Sequence, residues 1–100
     1  MGKFSELDLG INEYLSHLRE DYAKYGYQNK EFYAVIGRKY VHIVMEDNQR
    51  CSHSWVVVGK DKKFKFGDIL KSASWSAPAR NFKRGNVLSG DFKHIKWAGA

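Results

Sequence analysis

Three stretches rich in β-branched and aromatic residues follow one another almost without a break: Glu31 to Ile36, Lys39 to Glu46 and Cys51 to Val58. Gly37-Arg38 and a turn at Asp47-Asn48-Gln49 lie between them, and neither connection can hold the crossover of roughly a dozen residues that parallel strands need. The spacing therefore predicts an antiparallel meander. The turn at Gly37 is tight enough to be a bulge or bend within one ribbon, whereas Glu46 to Arg50 reads as an ordinary hairpin loop.

Before the meander, Ile11, Tyr14, Leu15, Leu18, Tyr22 and Tyr25 recur at helical spacing, with Glu13, Arg19, Glu20 and Lys24 on other faces. This predicts an amphipathic helix, firm over residues 11–25, with Ser5 or Asp8 as its cap and Gly26 as its stop. After the meander, Gly59-Lys60-Asp61-Lys62 turns the chain into Phe64-Lys65-Phe66 and, past a break at Gly67, Ile69-Leu70-Lys71, which together predict a fourth strand. Pro78 is expected to end regular structure, leaving a loop, and the chain to close with a short strand through Phe92, Ile95 and Trp97. One hundred residues make one core. The fold expected over residues 1–100 is a single α+β domain: an N-terminal amphipathic helix packed on an antiparallel sheet of about four strands, followed by a basic, loop-rich C-terminal segment. The far face of that sheet must be polar, cationic or covered by the tail.

Charge is divided unevenly along the chain. Residues 60 to 100 carry ten Lys/Arg against three Asp/Glu, a net of +7, while residues 1 to 59 carry seven against eight, a net of −1. Within the basic half the run Trp75 to Arg84 concentrates three cations, two aromatics and the only proline. Cations neutralise phosphates and exposed rings stack on bases, so this interleaving points to nucleic acid, single strands above all. The candidate contacts are Arg38, Lys39, Lys62, Lys63, Lys65, Arg80, Lys83 and Arg84 for phosphates, with Trp75 and Phe82 for stacking. The competing reading places the rings in the core and leaves the lysines as a solvated fringe.

Catalysis and metal binding are not expected. His42, Cys51 and His53 could meet across a hairpin, but none of their spacings matches a zinc motif and a fourth ligand is lacking. Ser52 or Ser54 beside His53, or Cys51 with a histidine, lacks a third orienting group. Asp61, Asp68 and Asp91 read as turn residues, and no glycine-rich phosphate loop is present. No cofactor is implied. The absence of a long apolar run excludes a membrane span of the usual length, and the N-terminus has no signal-peptide character. With one cysteine, these features fit a reducing cytoplasm.

The order Gly37-Arg38-Lys39-Tyr40-Val41-His42-Ile43-Val44, Gly67-Asp68-Ile69-Leu70-Lys71, Ala73-Ser74-Trp75-Ser76-Ala77-Pro78-Ala79-Arg80-Asn81 and Arg84-Gly85-Asn86-Val87 resembles a group of small proteins encoded by tailed bacteriophages. The likeness covers about residues 31–88, with an echo at Trp97-Ala98-Gly99, and departs from the group in the longer Gly59 to Phe66 segment. It implies an accessory phage protein in the cytoplasm of the infected bacterium and carries no activity with it. Three readings are then open: a nucleic-acid-binding protein, DNA in the first instance; an inhibitor or adaptor that docks on a host bacterial protein through the Trp75 to Asn86 segment; or a structural or virion protein whose charge faces packaged DNA. The unpaired edge of so small a sheet also makes a homodimer a candidate.

Overall fold

The computed structural model describes residues 3–26 and 30–99, with side chains from residue 6 onward. Helix α1 (Lys3–Ala23) packs on one face of an antiparallel sheet built from β1 (Glu31–Ile36), β2 (Tyr40–Glu46), β3 (Arg50–Val57) and β4 (Asp68–Ser74). Two short pieces, β5 (Ala77–Pro78) and β6 (Gly85–Asn86), both pair with β4. The order β1-β2-β3-β4-β5 is that of a meander, so the expected α+β class and the helix-on-sheet arrangement are what the chain adopts. Among the described residues no helix is long and apolar enough to cross a membrane.

The helix buries Leu7, Ile11, Tyr14, Leu15, Leu18 and Tyr22 against Phe32, Val41, Ile43, Met45, Val56 and Ile69. Each such side chain contributes roughly 1.5–3 kcal/mol on leaving water. The helix begins earlier than expected, at Lys3, so Ser5 and Asp8 lie within it and do not cap it; the Ser5 side chain, like Met1 and Gly2, is outside the described residues. It ends at Ala23, short of the expected residue 25, and the chain leaves it through a turn closed by Gly26 at φ 81°. Gly10 sits inside the helix because α1 crosses the Val87 main chain there, and a Cβ would fall 2.5 Å from the Val87 carbonyl oxygen.

Strands β1 and β2 form a true hairpin, with Ile36 opposite Val41, so Gly37 is a turn and not a bend within one ribbon. The pairing of β2 with β3 shifts between Ile43 and Val44. That bulge turns His53 and Ser54 to the helix side, while His42 and Ser52 lie on the far side. A hydrogen-bonded chain results: Tyr14 Oη meets Ser54 Oγ at 2.8 Å, Ser54 Oγ meets His53 Nδ1 at 2.8 Å, and His53 Nε2 donates to the Lys96 carbonyl at 2.9 Å. A carbonyl only accepts, so the proton of neutral His53 sits on Nε2. Burial lowers the His53 pKa against the raising effect of the Lys96 bond, and raises that of Tyr14 far above its ordinary value.

Three sequence expectations fail. Residues 64–66 are not a strand: Phe64 turns to a small cluster with Trp55, Val57 and Leu70 on the far face, and Phe66 packs on the main core, so the alternation marks a loop wedged between two apolar groups. Pro78 does not end regular structure. Its strand β5 returns along β4, with Ser72 opposite Pro78, at an edge where a missing N–H costs nothing. The closing strand does not form either, because side chains take up the tail's main-chain groups: His17 Nε2 donates to the Ile95 carbonyl at 2.7 Å, His53 to that of Lys96, and the Trp97 N–H donates to Asp21 Oδ2 at 2.9 Å. Phe92 and Ile95 are thereby held in the main core.

Candidate nucleic-acid interface

The meander gathers the basic residues at one end of the sheet. The β1–β2 turn with Arg38 and Lys39, the β3–β4 loop with Lys60, Lys62, Lys63 and Lys65, and the return segment with Lys83 all reach the end where β4 begins. The Val58 and Gly59 N–H groups donate to the Lys39 carbonyl at 2.8 and 2.9 Å, which fastens two of these loops together.

Two aspartates organise the end from within. Asp61, with 1% of its side chain exposed, lies 2.8 Å from Arg80 Nη1 and 3.6 Å from Lys39 Nζ. Its Oδ1 also accepts the Lys63 and Phe64 N–H groups at 2.8 and 3.0 Å. The Arg80 guanidinium, together with the Lys63 N–H, holds the Asp61 carboxyl well below the usual carboxylate range. Asp68 accepts the Lys65 N–H at 2.8 Å and Asn86 Nδ2 at 2.9 Å, with Lys83 Nζ 3.8 Å away.

These contacts sort the candidate residues. Arg80 is structural: besides Asp61 it donates to Tyr40 Oη at 2.6 Å and lies 5.1 Å from the Phe64 ring centroid. Lys63 is a clasp, its Nζ donating to the Arg80 and Asn81 carbonyls at 2.7 Å each. Lys39 and Lys83 lean on Asp61 and Asp68. Arg38, Lys62 and Lys65 are exposed and have no acidic side chain paired with them among the described residues, and the same holds for Lys60 and Lys71.

Phe82 and Arg84 form the second part. Phe82 is 56% exposed, and the Arg84 guanidinium lies 4.3 Å from its ring centroid. Both line a cleft of about 390 Å³ between β4 and the returning chain, together with Lys71, Ser72 and Asn81. The return is anchored on either side of the cleft, where the Ala79 N–H donates to the Lys71 carbonyl and the Arg84 N–H to that of Ile69, each at 2.7 Å. Below Arg84, Gly85 lies so close to the Asp91 carbonyl that a Cβ would fall 2.0 Å from its oxygen.

Trp75 does not belong to this cleft. It is 48% exposed at the β4–β5 tip, on the end of the sheet away from Lys62, with its ring 4.8 Å from His42 and 5.7 Å from the Arg50 guanidinium. His42 stacks on Trp55 at 3.7 Å and shares a 2.6 Å hydrogen bond with Ser52 Oγ, which in turn bonds Ser72 Oγ. Burial lowers the His42 pKa. His42 and Ser52 thus form a base–hydroxyl pair, with no acid bonded to the ring among the described residues. His42 and His53 face opposite sides of the sheet, and no group of three or more metal-ligating side chains forms among the described residues.

Sequence reasoning missed Lys71, Asn81 and the role of Asp61. Asp61 had a readable signal: an aspartate two and three residues before the N–H groups it accepts is an Asx turn. Lys71 had none, because its neighbours in the cleft come from a strand return that was expected to be a loop.

Fold and site together define a small α+β domain with an aspartate-braced cationic end and an exposed ring beside it. Within that class the chain belongs to a family of unknown function (DUF7717), whose match spans residues 4–100. No curated protein and no solved structure matches it.

Proposed function

We propose that this chain is a phage accessory protein that binds single-stranded nucleic acid along the cleft beside β4 and the adjoining β3–β4 loop, with phosphates on Lys62, Lys65, Lys71 and Arg84 and a base on Phe82. The observation that carries this reading is the exposed Phe82 ring beside a guanidinium, in a cleft whose cations lack acidic partners among the described residues. Rings of this kind stack on any base, and stacking is worth roughly 1–3 kcal/mol per base. The phage setting, and with it the bacterial cytoplasm, is supported by the sequence resemblance; DNA is the first ligand to test.

Four phosphate contacts on a single strand give a log–log salt slope near −3, so a threefold rise in salt weakens binding about twentyfold. Fluorescence anisotropy with labelled single-stranded DNA, single-stranded RNA and duplex DNA at two salt concentrations tests this. Phe82→Ala is expected to weaken single-strand binding about tenfold or more, and Lys71→Gln to reduce the salt slope by somewhat under one. Binding that ignores salt, or that Phe82→Ala leaves unchanged, contradicts the reading.

One observation favours the rival, a contact with a host bacterial protein: Trp75 is half-exposed yet held against His42 and Arg50, as a preorganised anchor would be. A stoichiometric partner recovered from nuclease-treated bacterial lysate and lost with Trp75→Ala would support it.

A further inference from the structure

The two edges of the sheet are built differently. The β5 edge is short and carries Pro78, which blunts it against pairing. The β1 edge is a six-residue run, Glu-Phe-Tyr-Ala-Val-Ile, without proline or bulge, and Val35 and Ile36 on it are 49% and 73% exposed. Beside it a groove of about 340 Å³ separates β1 from α1, lined among others by Asp8, Asn12, Arg19, Ala34 and Ile36.

The direction of the free main-chain groups follows from one contact. Arg19 Nη2 donates to the Phe32 carbonyl at 2.8 Å, so that carbonyl points out of the sheet, away from β2. Alternation along the strand then turns the main-chain groups of Ala34 and Ile36 outward as well. Arg19 is placed beside Phe32, and Asp8 shares the groove with Ile36, so α1 runs alongside β1 with opposite charges at its two ends. Asp8 and Arg19 are separated by about 16 Å of helix, close to the roughly 13 Å of strand between Phe32 and Ile36.

We infer that β1 is a self-pairing edge, through which two copies of this chain form a two-fold dimer with Ala34 opposite the partner's Ala34. In this register Phe32 faces the partner's Ile36, and Tyr33 covers the partner's Val35 on the far face. The axis exchanges the ends of the groove, setting Arg19 against the partner's Asp8 and Asp8 against the partner's Arg19. This charge complementarity selects a second copy over an unrelated strand. Lys30 would fall opposite the partner's Arg38, but it is already neutralised by Asp47 at 2.7 Å. The paired sheets become continuous, and the two basic ends are carried outward, away from the axis.

Sedimentation velocity over a range of protein concentrations tests the inference. The wild type is expected to form a dimer of twice the 11.6 kDa chain mass at high concentration. Ala34→Pro removes an N–H that the β1–β2 ladder does not use and places a ring at the axis; it is expected to be monomeric with unchanged circular dichroism. Asp8→Arg, a change at an exposed helix position, is expected to weaken the dimer tenfold or more, and Asp8→Arg with Arg19→Asp to restore it. A wild type that stays monomeric throughout overturns the inference, as does an assembly that Asp8→Arg leaves intact. The second variant decides the matter even if the proline variant does not fold.

Discussion

Asp61 shapes the basic end more than any cation around it. Its folded pKa lies below that of an unfolded aspartate, near 3.9, so the stability it contributes is present above that pH and is lost as pH falls through the folded value. Asp61→Asn is expected to lower the melting temperature by several degrees while strengthening oligonucleotide binding, since it releases Arg80 and Lys39 and removes a negative charge. Weaker binding by this variant in anisotropy, with the fold intact, would mean that the brace and not the charge governs the site. His53 has the opposite chemistry. Its pKa is lowered in the fold, so between that value and the unfolded value near 6.5 the unfolded chain binds more protons and stability falls as pH falls. The loss is at most about 1.4 kcal/mol per pH unit, and protonation of Nδ1 also ends its acceptance from Ser54. Urea titrations at pH 7 and pH 5 should show the loss in the wild type and a smaller one in His53→Gln; equal losses would place the pH sensitivity elsewhere.

At the scale of elements, the tail is part of the core although it forms no strand. Phe92→Ala is expected to cost about 3–5 kcal/mol in urea unfolding, whereas Phe82→Ala on the cleft is expected to change stability by less than about 0.5 kcal/mol. A small effect at Phe92 would show that the helix and meander fold without the tail. The same contrast marks how much the sequence discloses. Helix α1 was legible because it buries one regular face, so the 3.6 period survives in the sequence; strands β1 to β3 were legible as β-branched and aromatic runs divided by short turns, although β2 and β3 are buried on both faces. Beyond Gly59 the break at Gly67 and the Ile69-Leu70-Lys71 part of β4 were legible; the rest was not, because its order comes from contacts that have no period. Phe64 and Phe66 alternate only because the loop divides two clusters, and the tail is held by His17, Asp21 and His53, three residues far from it and from one another in the sequence. The pattern residues Gly67, Asp68, Pro78, Arg80, Gly85 and Asn86, which carried the phage resemblance, are those that fasten this region. The motif therefore speaks for the fold, and the surface beside it had to be found from geometry.

For the whole molecule, the +7 of residues 60 to 100 is not a uniform coat. Asp61 and Asp68 lie inside the basic end and hold Arg80, Lys39 and Lys83 in place, so the field available to a ligand comes from Lys60, Lys62, Lys65, Lys71 and Arg84. Of the ten residues expected from sequence to contact nucleic acid, Arg80 and Lys63 are committed to the fold and Trp75 stands at the opposite end. The β4 cleft and the adjoining loop remain as a compact patch, on the side of the sheet away from the β1 edge. The most direct test is a proton–nitrogen correlation spectrum of labelled protein titrated with a short single-stranded oligonucleotide. Shifts are expected to concentrate at Lys62 to Lys65, Lys71 to Ala73 and Ala79 to Arg84, with the amides of β1 and the Trp75 indole unmoved. Shifts centred on Trp75, or none at low salt, would contradict binding at the cleft.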